Sequence, residues 1–136
     1  MATSTYLSNP VVTINAVDLT DQCSASTLTR VIEALESTSF GKTARVYTAG
    51  LENSTLTVTM YNSFAASETY SELKNLVGTS TTVKIKPTSA ATSATNPEST
   101  LTGCYLETLP IVNAALGALD TIDIVFTGGV YSVAVA

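Results

Sequence analysis

The sequence predicts an all-β fold with one helix, a β-sandwich or partly closed barrel of about eight strands with a flanking α-helix. Three observations carry that expectation. Apolar residues recur with period two along most of the 136 residues, the spacing becomes helical only between Ala65 and Val77, and Gly, Pro and Asn punctuate the segments. Charged residues make up 12% and hydrophobic ones 45%, against about 25% charge in ordinary soluble domains. A surface so poor in charge and rich in Ser and Thr fits a protein covered by copies of itself, or a secreted β-domain with a hydroxyl-rich exterior. The length suits one domain (1–136) with one core.

The elements follow in chain order. Val11 to Asn15 is a short β run, and Asn15-Ala16 reads as a tight turn into Val17-Asp18-Leu19. Thr27 to Leu35 alternates as one long strand, Ser37 to Lys42 is a loop, and Thr43 to Thr48 is extended again. Ser54 to Tyr61 is the clearest strand, with Leu56, Val58 and Met60 on one face and Thr55, Thr57, Thr59 and Tyr61 on the other.

Ala65 to Val77 then places Tyr70, Leu73, Leu76 and Val77 at helical spacing. With Ser67 as N-cap, Glu68 in the first turn and Gly78 beyond the end, this predicts an amphipathic helix of about three turns. Thr81 to Lys86 is a strand stopped by Pro87, and Lys84 with Lys86 reads as the charged protection of an edge strand. Thr88 to Ser99, dominated by Ser, Ala and Thr around Asn96-Pro97, reads as a mobile loop or arm. Leu101 to Thr108, Ile111 to Ala115, Thr121 to Phe126 and Val130 to Val135 are the remaining extended pieces, with Gly128-Gly129 expected to close the last two as a hairpin. The apolar C-terminal run, Val130 to Ala136, would aggregate unless paired, within the chain or with a neighbour.

The chemistry legible in the chain is mostly exclusion. Histidine is absent, which removes Ser-His-Asp and Cys-His catalysis and every His-containing zinc site. Asp18 and Asp21 stand three apart but have no third carboxylate beside them in sequence, Glu33 and Glu36 fall on opposite faces of a strand, and Ser24 and Ser26 lack nucleophile-elbow glycines. Catalysis, a metal, a cofactor and a small-molecule substrate are therefore not expected. Net charge is −5 and the six Lys and Arg are scattered, whereas a duplex-gripping protein needs clustered cations. An acidic wall would instead let a polyanion slide past.

No run approaches a membrane span, and the opening Met1 to Tyr6 has neither the basic nor the apolar region of a signal peptide. Cys23 and Cys104 lack CxxC spacing, so they read as free thiols of a cytosolic chain or as one disulfide of an exported one. Asn53-Ser54-Thr55 fits a glycosylation sequon and is read as a turn.

One segment stands out against this background: Phe40-Gly41-Lys42-Thr43-Ala44-Arg45-Val46-Tyr47-Thr48-Ala49-Gly50-Leu51, glycine-bracketed and carrying Arg and Tyr on a chain poor in both charge and aromatics. The order runs from the N-terminal strand with its turn through the long strand, this segment, the Thr-rich strand, the single helix ending in glycine and the Lys-bearing strand. A Pro/Ser/Thr loop and the Leu119 to Phe126 strand with its Gly-Gly pair complete it. That order, over nearly the whole chain, resembles the major tail tube proteins of long-tailed, non-contractile bacteriophages. Lys42, where an acidic residue would be expected, and Ala16, where a glycine would suit the turn, depart from the pattern.

The resemblance implies a β-sandwich with a flanking helix, assembling as six-membered rings stacked into a tube. One sheet of each subunit would join its neighbours around a DNA channel, and loops and terminal arms would lock successive rings. It further implies a non-enzymatic virion protein without cofactor, made in the bacterial host cytoplasm and located in the phage tail. Its partners would be itself, a tape-measure protein, and passing genomic DNA that it does not bind tightly. Within it, Phe40, Gly41, Arg45, Tyr47, Gly50 and Leu51 would form a subunit interface, Phe40 and Tyr47 as anchors, Arg45 pairing an acid on a neighbour, and the glycines allowing the bends. The competing assignment makes Phe40 and Tyr47 core residues and Arg45 solvated, and burial in the isolated subunit separates the two. A capsid decoration or other head-associated protein is the rival function, while an adhesin or carbohydrate-binding module would need the aromatic platform that a chain without Trp lacks.

Overall fold

A computed structural model describes residues 10–135. The Met1 to Tyr6 reading and Ala136 therefore lie outside the described residues. Ten strands form: β1 (Val11–Ile14), β2 (Val17–Asp18), β3 (Cys23–Thr29), β4 (Ile32–Glu36), β5 (Tyr47–Glu52), β6 (Thr55–Tyr61), β7 (Ser80–Lys86), β8 (Glu98–Leu106), β9 (Thr121–Thr127) and β10 (Val130–Ala134). One short helix, α1 (Thr69–Leu73), lies between β6 and β7. The expected all-β class with a flanking helix is what forms. Eight strands make one antiparallel sheet in the order β2-β1-β7-β8-β9-β6-β3, with β10 also on β8, and β4-β5 stand apart as a two-stranded hairpin.

The large sheet folds over one core, because β1, β6, β7 and β9 each bury alternate residues on the same face. Val12 and Ile14 of β1, Val83 of β7 and Leu101, Cys104 and Leu106 of β8 meet Leu56, Val58 and Met60 of β6 and Ile122, Ile124 and Phe126 of β9. Burying a side chain of this size contributes about 1.5–3 kcal/mol. Among the described residues the sheet does not close, since its end strands β2 and β3 each pair on one side only.

Gly128-Gly129 does not make the expected hairpin, because β10 pairs with β8 and not with β9. Thr127 lies opposite Tyr105 and Val130 opposite Thr102, so β9 and β10 follow β8 in one register as a single bent strand. The bend lets β9 swing away to pair along β6 while β10 stays on β8. Gly103 is the extra residue of a bulge against β7, where Thr81 pairs with Cys104 and Thr82 with Thr102. A Cβ on Gly129 would come within 2.8 Å of the Thr102 carbonyl oxygen and 2.9 Å of the Cys104 nitrogen. Only glycine fits this corner.

Other expectations are corrected by packing. The long strand from Thr27 to Leu35 is two strands in different sheets: β3 pairs with β6, and after Arg30-Val31 the chain enters β4, which pairs with β5. Extension resumes at Tyr47, beyond the expected Thr43, and runs through Gly50 and Leu51. The helix is one turn and a half, because Ser67 takes φ 63° and Glu68 is the N-cap. At its other end Val77 is drawn into a bridge with Leu106. β7 is an interior strand between β1 and β8, so Lys84 guards no edge; it pairs with Glu98 at 3.7 Å. Ile111 to Ala115 is not extended, and the last residues of the Ser/Ala/Thr segment belong to β8.

That segment folds around Asn96. Its buried amide donates to the carbonyls of Thr88, Ala90 and Ala91, and its oxygen accepts from the Thr88 N–H. The β1–β2 turn forms as expected, with Asn15 and Ala16 at φ 51° and 65°. Both cysteines are free.

Candidate functional site

The singled-out segment is the tip and the returning strand β5 of the β4–β5 hairpin. Leu35 pairs with Thr48 and Glu36 with Tyr47, and the Ser37 N–H donates to the Val46 carbonyl at 2.8 Å, leaving Thr38 to Arg45 as the tip. Every residue from Thr29 to Ala49 is exposed, and among the described residues the hairpin's strands pair only with each other. It is an arm that projects from the sheet.

Phe40 at the tip is fully exposed, Leu51 is 81% exposed and Tyr47 56%, so none is a core residue of the isolated subunit. Val31, Ile32, Leu35 and Val46 are exposed as well. Sequence reasoning placed three of these outside the site because it read Val31 to Leu35 as part of a sheet strand; Val46 lies within the singled-out segment but was not among its named contact residues. Gly41 sits in open space at φ 88°, beside Lys42 at the tip. Gly50 serves differently: a Cβ there would stand 3.0 Å from Glu33 and 3.2 Å from Leu35, so glycine lets the two strands of the arm close on each other.

Arg45 has a partner within its own subunit. Its Nη1 reaches both Glu36 carboxylate oxygens at 3.3 and 3.2 Å, with the arginine side chain 75% exposed. Such a solvated pair contributes about 0–1 kcal/mol. It holds a cation beside Phe40 and Lys42 at little cost to exchange.

A second exposed apolar surface lies on the loop before β9. Ile111, Val112, Leu116 and Leu119 are 57–107% exposed. Polar ties hold this loop in place: the Asn62 amide donates to the Ile111 carbonyl at 2.7 Å and to Asp120, and Asp120 accepts from the Asn113 N–H. The sequence signal was available in the clustered Ile111, Val112, Leu116 and Leu119, but Ile111 to Ala115 was read as one more extended piece.

The outer face of β3, β6 and β9 is a third surface of note. Its rows are Ala25, Thr59 and Asp123, then Thr27, Thr57 and Val125, then Thr29, Thr55 and Thr127. It carries one carboxylate and no cation. Asp123 accepts from the Thr59 hydroxyl at 2.7 Å.

Elsewhere the polar chemistry is spent on local structure. Asp18 accepts the Thr20 N–H at 2.9 Å together with its hydroxyl, and Asp21 accepts from the Gln22 amide. Among the described residues no group of three or more His, Cys, Asp or Glu converges as a metal site, and no helix is long and apolar enough to cross a membrane. Burial, reinforced by the charges of Asp18 and Asp21, pushes the Cys23 thiol up to about 12. Cys104 is raised by burial too.

No family model matches the chain, and no curated protein matches its sequence. Solved structures do match its fold. A chain in the virion of a native gene transfer agent particle aligns with a TM-score of 0.68 over 96% of this chain and 99% of its own length, at 8% identity. A chain from the sheath/tube terminator of the PVC extracellular contractile injection system aligns at 0.72 over 98% and 99%, also at 8% identity. A third, from the cap terminating the tube of the anti-feeding prophage, aligns at 0.66 over 100% and 95%, at 11% identity. The protein has the fold of these particle components. At such identity it is the fold that is shared, over nearly the full length of each chain.

Proposed function

We infer that the chain is a structural subunit of a phage tail tube, which assembles with copies of itself into six-membered rings stacked around a DNA channel. The observation that carries this is the β4–β5 arm, which among the described residues pairs only with itself and exposes Phe40, Tyr47 and Leu51. A monomer gains nothing from holding such a surface in water, whereas a neighbouring copy can bury it. Phe40, Tyr47 and Leu51 are the anchors of this interface, with Gly41 and Gly50 shaping the arm. Arg45 exchanges Glu36 for an acid of the neighbour.

The sheet supports the same reading. Among the described residues β3 has an unpaired edge, which can add a strand from the next subunit of a ring. The Thr-rich outer face of β3, β6 and β9 suits the channel wall: hydroxyls wet it, Asp123 is its one charge, and no Lys or Arg holds a phosphate. A tape-measure protein would fill this channel during assembly and the genome would pass later, without tight binding. The role is non-enzymatic and its place is the virion tail, after synthesis in the bacterial host cytoplasm. The long-tailed, non-contractile class is proposed from the resemblance in the order of sequence features alone and requires a tube that forms without a sheath.

Negative-stain microscopy of the purified full-length protein tests this. Long tubes of uniform width are expected. A persistent monomer, or discrete complexes with a capsid shell, would replace the tube reading with that of a decoration protein. Arg45→Glu is expected to abolish tubes while leaving the monomer folded, and normal polymerisation of this variant would remove the arm from the interface.

A further inference from the structure

Resting on the tube reading, we propose where the arm docks: its tip seats on the Ile111–Leu119 loop of the next copy, head to tail. The register places the two surfaces at opposite ends of one three-stranded layer. Thr55 of β6 pairs with Thr127 of β9 at the end where the arm leaves β3 and returns to β6. Tyr61 pairs with Thr121 at the other end, where the loop enters β9. Complementary surfaces at opposite ends of a subunit cannot satisfy each other within one chain. They make a heterologous contact, which propagates along the strand direction instead of closing a pair.

Charge and shape agree with that pairing. The tip offers Phe40 with Lys42 and Arg45, two of only six cations in the chain. The opposite end offers Leu116 and Leu119 beside Asp120, and the Thr20–Gln22 turn and α1, which Thr69 ties to each other and to the Tyr61 end of β6, carry Asp21 and Glu72 with Glu68 as N-cap and Lys74 as C-cap. Residues 87–136 contain no Lys or Arg at all. The receiving loop is held ready by Asn62 and Asn113 on Asp120, so little ordering is left to be done on docking. The hairpin likewise arrives as a formed ladder. An apolar centre ringed by opposite charges is the usual anatomy of a specific contact.

Full-length Phe40→Cys and Leu116→Cys chains, each also Cys23→Ser, are mixed under assembly conditions and oxidised. The expected product is a disulfide-linked heterodimer formed in the mixture and in neither chain alone. A dominant 40–40 dimer would mean a two-fold contact between tips and would overturn the proposal, as would tubes of normal width formed by the mixed cysteine variants in which 40 and 116 never link. A second variant, Leu116→Asp/Leu119→Asp, alters only exposed positions and is expected to lose assembly with an unchanged circular dichroism spectrum; tubes from it would also overturn the docking. The two readings separate cleanly. A 40–116 link in short, non-tubular oligomers upholds the docking and refutes the tube, while tubes without the link do the reverse.

Discussion

At the residue scale, the backbone at Gly129 and Ala16 makes opposite predictions. Gly129 combines φ 86° with contacts that leave no room for a Cβ, so Gly129→Ala should destabilise by about 1–3 kcal/mol, read as a lower urea midpoint. Ala16 already pays for a left-handed conformation, φ 65°, which costs an L-residue about 1–2 kcal/mol. Ala16→Gly relieves it and should raise the midpoint, less the unfolded-state entropy that glycine adds. The turn was legible in Asn15-Ala16, and so was the misfit of alanine there. The steric role of Gly129 was not legible, since it depends on a strand some 25 residues earlier in the chain.

Cys23 makes a prediction in pH. Its thiol is raised to about 12 in the fold, from an ordinary value of 9.0. The folded protein therefore holds a proton that the unfolded chain releases, so its stabilising effect is complete below pH 9 and is lost as pH rises toward 12. Denaturation midpoints should fall across that window in wild type and fall less in Cys23→Ser. Alkylation of Cys23 at pH 8 should be slow in the native state and fast in urea, because the thiolate is the nucleophile.

At the element scale, Asn96 organises the Thr88–Pro97 segment through one buried amide. Asn96→Ala would strand the carbonyls of Thr88, Ala90 and Ala91, costing about 1–3 kcal/mol, with hydrogen exchange in that segment accelerating first. Composition alone showed a low-complexity loop, because four hydrogen bonds from one side chain leave no periodic trace. The helix shows the same limit from the other side. Leu73 is buried where the spacing put it, yet Ser67 and Val77 answer to the chain's path onto β6 and β8 and shorten the element to five residues. Local propensity yields to packing when a single turn is at stake. The β4–β5 arm was legible by composition and not by shape: glycines, Arg and Tyr on a charge-poor chain marked Phe40 to Leu51, but alternation from Thr27 to Leu35 concealed the break at Arg30-Val31.

At the scale of the whole molecule, the charge of the β3-β6-β9 face is the quantity to change. Thr57 lies at its centre, exposed, between Thr27 and Val125. In the proposed tube, Thr57→Lys would line the channel with cations repeated at every subunit. Tubes should still form, since the position is solvent-facing, and DNA passage should slow, with retention that weakens at high salt. A mutant particle that ejects DNA at the wild-type rate would place this face elsewhere in the assembly.

What the sequence by itself determined is the class and the core: period-two alternation selects strands, and Leu56, Val58, Met60, Ile122, Ile124 and Phe126 lie on the buried faces that this period assigns them. The absence of histidine and the scattered cations likewise narrowed the chemistry before any contact was known. Which strands pair, that Gly128-Gly129 is a corner and not a hairpin, that β7 is interior, and that the arm stands clear of the core were decided only by the tertiary structure. Alternation specifies which side of a strand is buried but not which strand lies beside it, and partners far apart in sequence are chosen by the closure of one common core.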